Sequence, residues 1–166
     1  MRHVTLPMLI ATTVLLACAS TTVQKPPPVV FNEGEYERYR ADGNCTVEGQ
    51  AFMKTKAGIV KYGARERVYL VPVTSYSREW FEQSVIHGEA LDPSDPRTAR
   101  FRRTTMADDE GYFRFESVPA GDYYVVCRVT WVVHHHNGAD TARKGVWAYA
   151  QVSVDDHETA RTIVTR

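Results

Sequence analysis

The sequence predicts an all-β sandwich of about seven short strands carrying one short helical insertion. Three observations lead there. From residue 45 onward, apolar and polar residues alternate at period two in several separate runs. Gly, Pro, Asn and Asp, the residues that turn a chain, stand between the runs. A single segment departs from this rhythm toward helical spacing.

The first run is CTVEGQAF, from Cys45. RVYLVPVT follows and places Val68 and Leu70 on one face. Pro72 cannot donate to a ladder, so an edge or a bulge is expected there. SREWFEQSVIHG breaks the pattern: Trp80, Phe81, Ser84 and Val85 recur at helical spacing, with Ser77 as N-cap and Gly88 as stop. ALDPSDPRTARF then reads as loop, so the insertion covers roughly 75–103, and insertions on rigid sandwiches often carry specificity. GYFRFESV alternates Phe113 and Phe115 with Tyr112, Arg114 and Glu116, the mark of a half-buried strand. DYYVVCRVTWVV puts Tyr123, Val125, Cys127, Val129 and Trp131 on the core side, with Arg128 and Thr130 opposite. GVWAYAQVSV groups Val146, Ala148, Ala150, Val152 and Val154 against Trp147, Tyr149 and Gln151. TARTIVTR closes the chain.

The densest polar stretch, DDEGYFRFESVPAGDYYV, is read as two corners and not as a reactive centre. Asp108, Asp109 and Glu110 precede Gly111 at a tight turn, where Asp bonds nearby backbone and Gly takes positive φ. Pro119 and Gly121 repeat that logic. A calcium loop would need oxygen ligands at alternating positions and a distant Glu, and the stretch lacks that spacing. The run from Thr105 through these turns resembles the signature of carboxypeptidase regulatory-like domains: a threonine, an acid-rich turn, Gly-x-Phe-x-Phe, then Val-Pro-x-Gly-x-Tyr. VEGQAF is similar to that family's opening strand and GARERVYLVPVT to a later one. The resemblance spans residues 45–165 and implies a transthyretin-like Greek-key sandwich. It also implies a non-catalytic folding or interaction module, with starch-binding-like domains among its fold relatives.

The amino terminus is expected to be removed. MRHVTLPMLIATTVLLAC has a basic start at Arg2 and an apolar run too short to span a bilayer, which needs about 20 residues. Its ending, Leu15-Leu16-Ala17-Cys18, resembles a bacterial lipobox. That resemblance implies a signal peptide over 1–17, cleavage after Ala17 and lipidation of Cys18 by acyl chains, of which palmitate is typical. Ala19 in place of an aspartate implies sorting to the outer membrane, facing the periplasm. Residues 18–44 then form a Pro-rich tether ahead of a sandwich over 45–166. Within it, FNEGEYERYRADGN reads either as a short helix or as cover for a sheet edge.

Composition limits the function. The chain has 166 residues, and its 20 Lys+Arg balance 20 Asp+Glu. A nucleic-acid binder would show a basic excess on one face, so none is expected as partner. Cys45 and Cys127 are an even pair in an exported chain, hence either a disulfide or two buried thiols. His134 and His136 would share a strand face and could offer imidazoles to zinc, copper or nickel, completed by His157 or Asp155. The plainer account is a hairpin tip, since Asn137-Gly138 is a strong turn signal. Tyr76, Trp80, Trp147 and Tyr149 are candidates for a flat sugar or partner platform, or else edge packing against the insertion. Gly-x-Ser-x-Gly and His-Glu-x-x-His motifs are absent, so neither an enzyme nor a cofactor is expected. The expectation is a lipid-anchored periplasmic binding or scaffolding protein presenting 75–103 and 134–145 to a protein partner. The alternative is a carbohydrate- or peptidoglycan-binding module.

Overall fold

The computed structural model describes residues 29–89, 91, 93–134 and 141–166. The signal segment and Cys18 lie outside the described residues, as does His136. The described residues form an all-β sandwich of eight strands: β1 (Cys45–Lys54), β2 (Val60–Tyr62), β3 (Arg67–Pro72), β4 (Arg103–Met106), β5 (Tyr112–Val118), β6 (Gly121–His134), β7 (Thr141–Val154) and β8 (Thr159–Val164). One short helix, α1 (Ser75–Phe81), follows β3. In one sheet β1 pairs antiparallel with β2 and β5 and parallel with β8. The other sheet runs β4-β3-β6-β7, all antiparallel. The two strands without a sequence signal, β2 and β4, have three and four residues. Alternation needs about 4–8 residues to register.

The core forms where the two sheets face each other. Val47, Val68, Leu70, Val125, Cys127, Val129, Ala148 and Val164 are fully buried there. Each Val or Leu contributes on the order of 1.5–3 kcal/mol by leaving water. The odd-numbered side of β6 and the even-numbered side of β7 face inward, as the alternation predicts. Pro72 ends β3 beyond its last pairing with β4, Leu70 with Arg103, so its missing N–H interrupts no β3–β4 bond.

Both crowded turns are structural corners. Asp108 Oδ1 accepts the backbone N–H groups of Glu110 (3.0 Å) and Tyr112 (2.7 Å), while Gly111 adopts φ 81°. Asp109 pairs with Arg65 at 2.6 Å, and that guanidinium holds the Asp109 carboxyl below its usual range. At the second corner Tyr123 donates its hydroxyl to Pro119 O at 2.7 Å.

Residues 31–39 belong to this folded unit although the tether was expected to run to 44. They form a 3-10 helix over Glu33–Tyr39, and Phe31, Tyr36 and Tyr39 are buried in the same core. The ambiguous polar segment is thus a short helix whose aromatics face inward.

The disulfide considered for Cys45 and Cys127 does not form; both are free, buried thiols. Cys45 Sγ donates to Asp155 O (3.1 Å) at one end of β1. Cys127 Sγ lies at the other end: a carbon on Gly63 would sit 2.9 Å from it and 3.2 Å from Ala51 Cβ. Cys45 and Ala51 are roughly 20 Å apart at ~3.3 Å per strand residue, whereas a bridge needs Cα atoms within about 7 Å. Burial pushes the Cys127 thiol up to about 12, with the Glu66 charge adding to it. The unfolded chain would lose that proton near 9.0, so above that pH it binds fewer protons than the native state. Stability should therefore fall as pH rises from about 9 toward 12, and a Cys127→Ala variant should lose that part of the slope. In a Cys18→Ser chain a thiol reagent should label neither cysteine until denaturant is added; rapid native labelling would contradict the burial.

Candidate functional site

The outward face of the β4-β3-β6-β7 sheet is unusually apolar. Alternation that sends Leu70, Val125 and Ala148 inward sends Tyr69 and Val71, Tyr124 and Val126, and Trp147 and Tyr149 outward. Register then brings them together: Tyr69 opposes Val126, Val71 opposes Tyr124, and Val126 opposes Tyr149. Such a face needs a cover, and α1 supplies it. Phe81 stacks on Tyr124 (centroids 4.1 Å apart, planes 6° apart) and meets Tyr149 edge-on at 5.2 Å.

The position of α1 is set at its start. The N-cap is Thr74, not Ser77; Ser77 is the third residue of a capping box in which each side chain accepts the other's backbone N–H. Ser77 Oγ also donates to Pro72 O at 2.6 Å, tying the helix to the end of β3. The helix does not stop cleanly after Phe81 but widens into a π-turn over Glu82–Ile86. Single π-turns often mark functional sites, and here Ser84 and Val85 come from it.

Between helix and sheet lies a cavity of about 260 Å³. Tyr69, Tyr76, Trp80, Phe81, Tyr124 and Trp147 give it predominantly aromatic walls, and Ser84, Ser94, Thr98 and Arg102 add polar groups. That volume lies just below the range of about 300–1,000 Å³ common for small-molecule sites. The indole N–H of Trp80 is buried and makes no hydrogen bond among the described residues. A buried unpaired donor costs about 1–3 kcal/mol.

The far wall is held by the amino-terminal segment. Glu35 accepts the N–H (2.7 Å) and hydroxyl (2.6 Å) of Ser75, bonds that keep its carboxyl below the ordinary range. Thr74 Oγ1 donates to the Tyr36 hydroxyl (2.9 Å), and the Tyr36 ring packs 4.7 Å from Phe101. Phe31 meets Tyr76, and Arg97 lies 4.5 Å over Phe31. Asp95 caps the 3-10 helix Pro96–Arg100, and its N–H donates to the Tyr76 hydroxyl at 2.8 Å. Side-chain bonding to Arg97 holds the Asp95 carboxyl down at about 2.

Three of the four aromatics singled out in the sequence therefore meet at one cavity. Tyr76 is a buried wall, Trp80 is half-buried, and Trp147 stands partly exposed. Tyr149 instead packs under Phe81, outside the lining. The surface they make is concave, not the flat platform expected. Tyr36, Tyr69, Tyr124 and Arg102 were not singled out; for Tyr69 and Tyr124 the signal available was that β3 and β6 carry aromatics on the nominally polar side. His134 closes β6, while His157 lies beside Asn44 (Nε2 to Nδ2, 3.2 Å). Among the described residues no three His, Cys, Asp or Glu side chains converge on a metal position.

No protein-family model matches the chain, and no curated protein sequence matches it. Among solved structures, a Pseudomonas aeruginosa protein proposed to bind carbohydrate is similar with a TM-score of 0.70 at 24% identity. The match covers 82% of this chain and 97% of that one, and it establishes the shared fold. The major pilin subunit of Bacillus cereus aligns with a TM-score of 0.41 at 9% identity, over 75% of this chain and 30% of the pilin. That likeness is too slight to carry an argument.

Proposed function

We propose that this chain is a non-catalytic, lipid-anchored binding module of the cell envelope whose aromatic cavity holds a carbohydrate ring. The observation that carries this reading is the concave lining built mainly of aromatics, with Tyr69, Trp80, Phe81, Tyr124 and Trp147 around one cavity. Pyranose rings offer C–H faces to aromatics and hydroxyls to polar side chains such as Ser84, Ser94 and Thr98. The Pseudomonas aeruginosa protein of the same fold supports the reading by what it is proposed to bind. The carboxypeptidase regulatory-like resemblance agrees with a module without catalysis. Cys18 would anchor the chain at the outer membrane, and residues 19–30 would set the sandwich off the bilayer in the periplasm. The protein partner that the sequence favoured becomes the second reading. It draws on Ile59, Val60, Tyr62 and Tyr112, apolar side chains exposed around the β1 sheet. Crosslinking in native membranes tests it, and recovery of no specific protein would count against it.

The sugar reading is tested by titrating a panel of glycosides while following tryptophan fluorescence. Trp80→Phe keeps an aromatic wall and should retain measurable binding. Trp80→Ala should abolish binding. Absence of binding by any glycoside at millimolar concentration, or full affinity in Trp80→Ala, would remove the proposal.

A further inference from the structure

We infer that the sugar this cavity takes is acidic and that Arg102 holds its carboxylate. The inference rests on the carbohydrate reading and adds to it the charge of the ligand. Arg102 is the one residue in the lining charged at neutral pH; no Asp, Glu, Lys or His joins it among the described lining residues. The lining thus carries one formal charge, and it is positive.

The arginines flanking it in the chain are paired. Arg97 pairs with Asp95 at 2.7 Å, Arg100 pairs with Glu33, and Arg103 pairs with Asp42 at 2.9 Å. Arg102 makes no ion pair among the described residues. Its guanidinium lies 5.0 Å over the ring of Tyr69, itself a cavity wall. Stacking on an aromatic face orients the planar group while leaving its edge donors unspent, the arrangement suited to gripping a carboxylate by two parallel bonds. The same lone cation repels an ammonium-bearing sugar, so it discriminates as well as attracts.

Trp80 and Arg102 then have separate tasks. The indole and the other aromatic walls receive the ring, and the guanidinium reads the acid. Because Arg102 is solvent-exposed, its contribution should weaken with added salt, as exposed charge pairs do.

Methyl β-glucuronide and methyl β-glucoside differ only at carbon six, a carboxylate against a hydroxymethyl group, and calorimetric titration of the detergent-solubilised protein with both is the test. The glucuronide should bind about tenfold tighter at low salt, the equivalent of ~1.4 kcal/mol, and the gap should narrow as salt rises. Arg102→Gln should bring the glucuronide down to the glucoside's affinity, and Arg102→Lys, which keeps charge but not the fork, should fall between. Equal affinities in the unaltered protein, or a preference that survives Arg102→Gln, would overturn the acidic assignment while leaving the sugar reading intact. Tighter binding of the corresponding 6-phosphate would overturn the carboxylate in favour of another anion. Binding of none of these sugars would bring down both readings together.

Discussion

Gly111→Ala is expected to cost about 3 kcal/mol or more of folding free energy, because two penalties fall on one atom. Gly111 sits at φ 81°, where an L side chain is strained by roughly 1–2 kcal/mol. The added carbon would also lie 2.4 Å from Ala51 O. That carbonyl cannot retreat freely, since it accepts the Gly63 N–H at 2.8 Å, and Ala51 N–H in turn donates to Gly111 O at 2.8 Å. Relief of the clash therefore breaks bonds at the junction of β1, β2 and the turn before β5. Gly58 supplies a matched control. It has the same φ of 81°, but a carbon there meets nothing closer than Lys54 Cε at 3.9 Å. Urea denaturation of both variants separates the effects: Gly58→Ala should lose only the backbone strain. Equal losses would mean that the close approach at Gly111 is unimportant.

Tyr36→Ala should have a comparable effect on stability and a larger one on binding. Tyr36 is 1% exposed, stacks on Phe31 at 4.9 Å and packs against Phe101. Deleting a buried aromatic of this kind costs about 3–5 kcal/mol. The ring also lines the cavity, and its hydroxyl receives Thr74, the residue that caps α1. Its loss should loosen the helix that roofs the site and abolish glycoside binding even at temperatures where the sandwich remains folded. Tyr36→Phe keeps the packing and removes one hydrogen bond, so it should cost only about 1 kcal/mol. If Tyr36→Ala bound sugar normally, the amino-terminal segment would be an accessory to the fold and not part of the site.

Local chemistry made much of this protein legible before any coordinates. Phe113 against Arg114 and Val125 against Arg128 announce strands because a pleated chain exposes alternate residues to oil and water. Asp108-Asp109-Glu110-Gly111 announces a corner because few other residues turn a chain so sharply. The cavity was only half visible. Trp80 and Trp147 stood out as large aromatics, but Tyr69 and Tyr124 looked like ordinary neighbours of core residues. Their meaning depends on a partner surface, α1, whose true cap at Thr74 is confirmed only by its bonds to Ser77 and Tyr36. The cysteines show the same limit: an even number suggests a bridge, whereas separation along β1 forbids it.

What the sequence determined alone was the alternation, the corners and therefore the two-layer β architecture, all of which act over a few neighbouring residues. The tertiary structure alone decided which outward face was covered, where residues 31–39 docked, and which arginine came to line the cavity. Those outcomes depend on contacts between segments tens of residues apart, whose distances follow from packing and leave no local pattern to read.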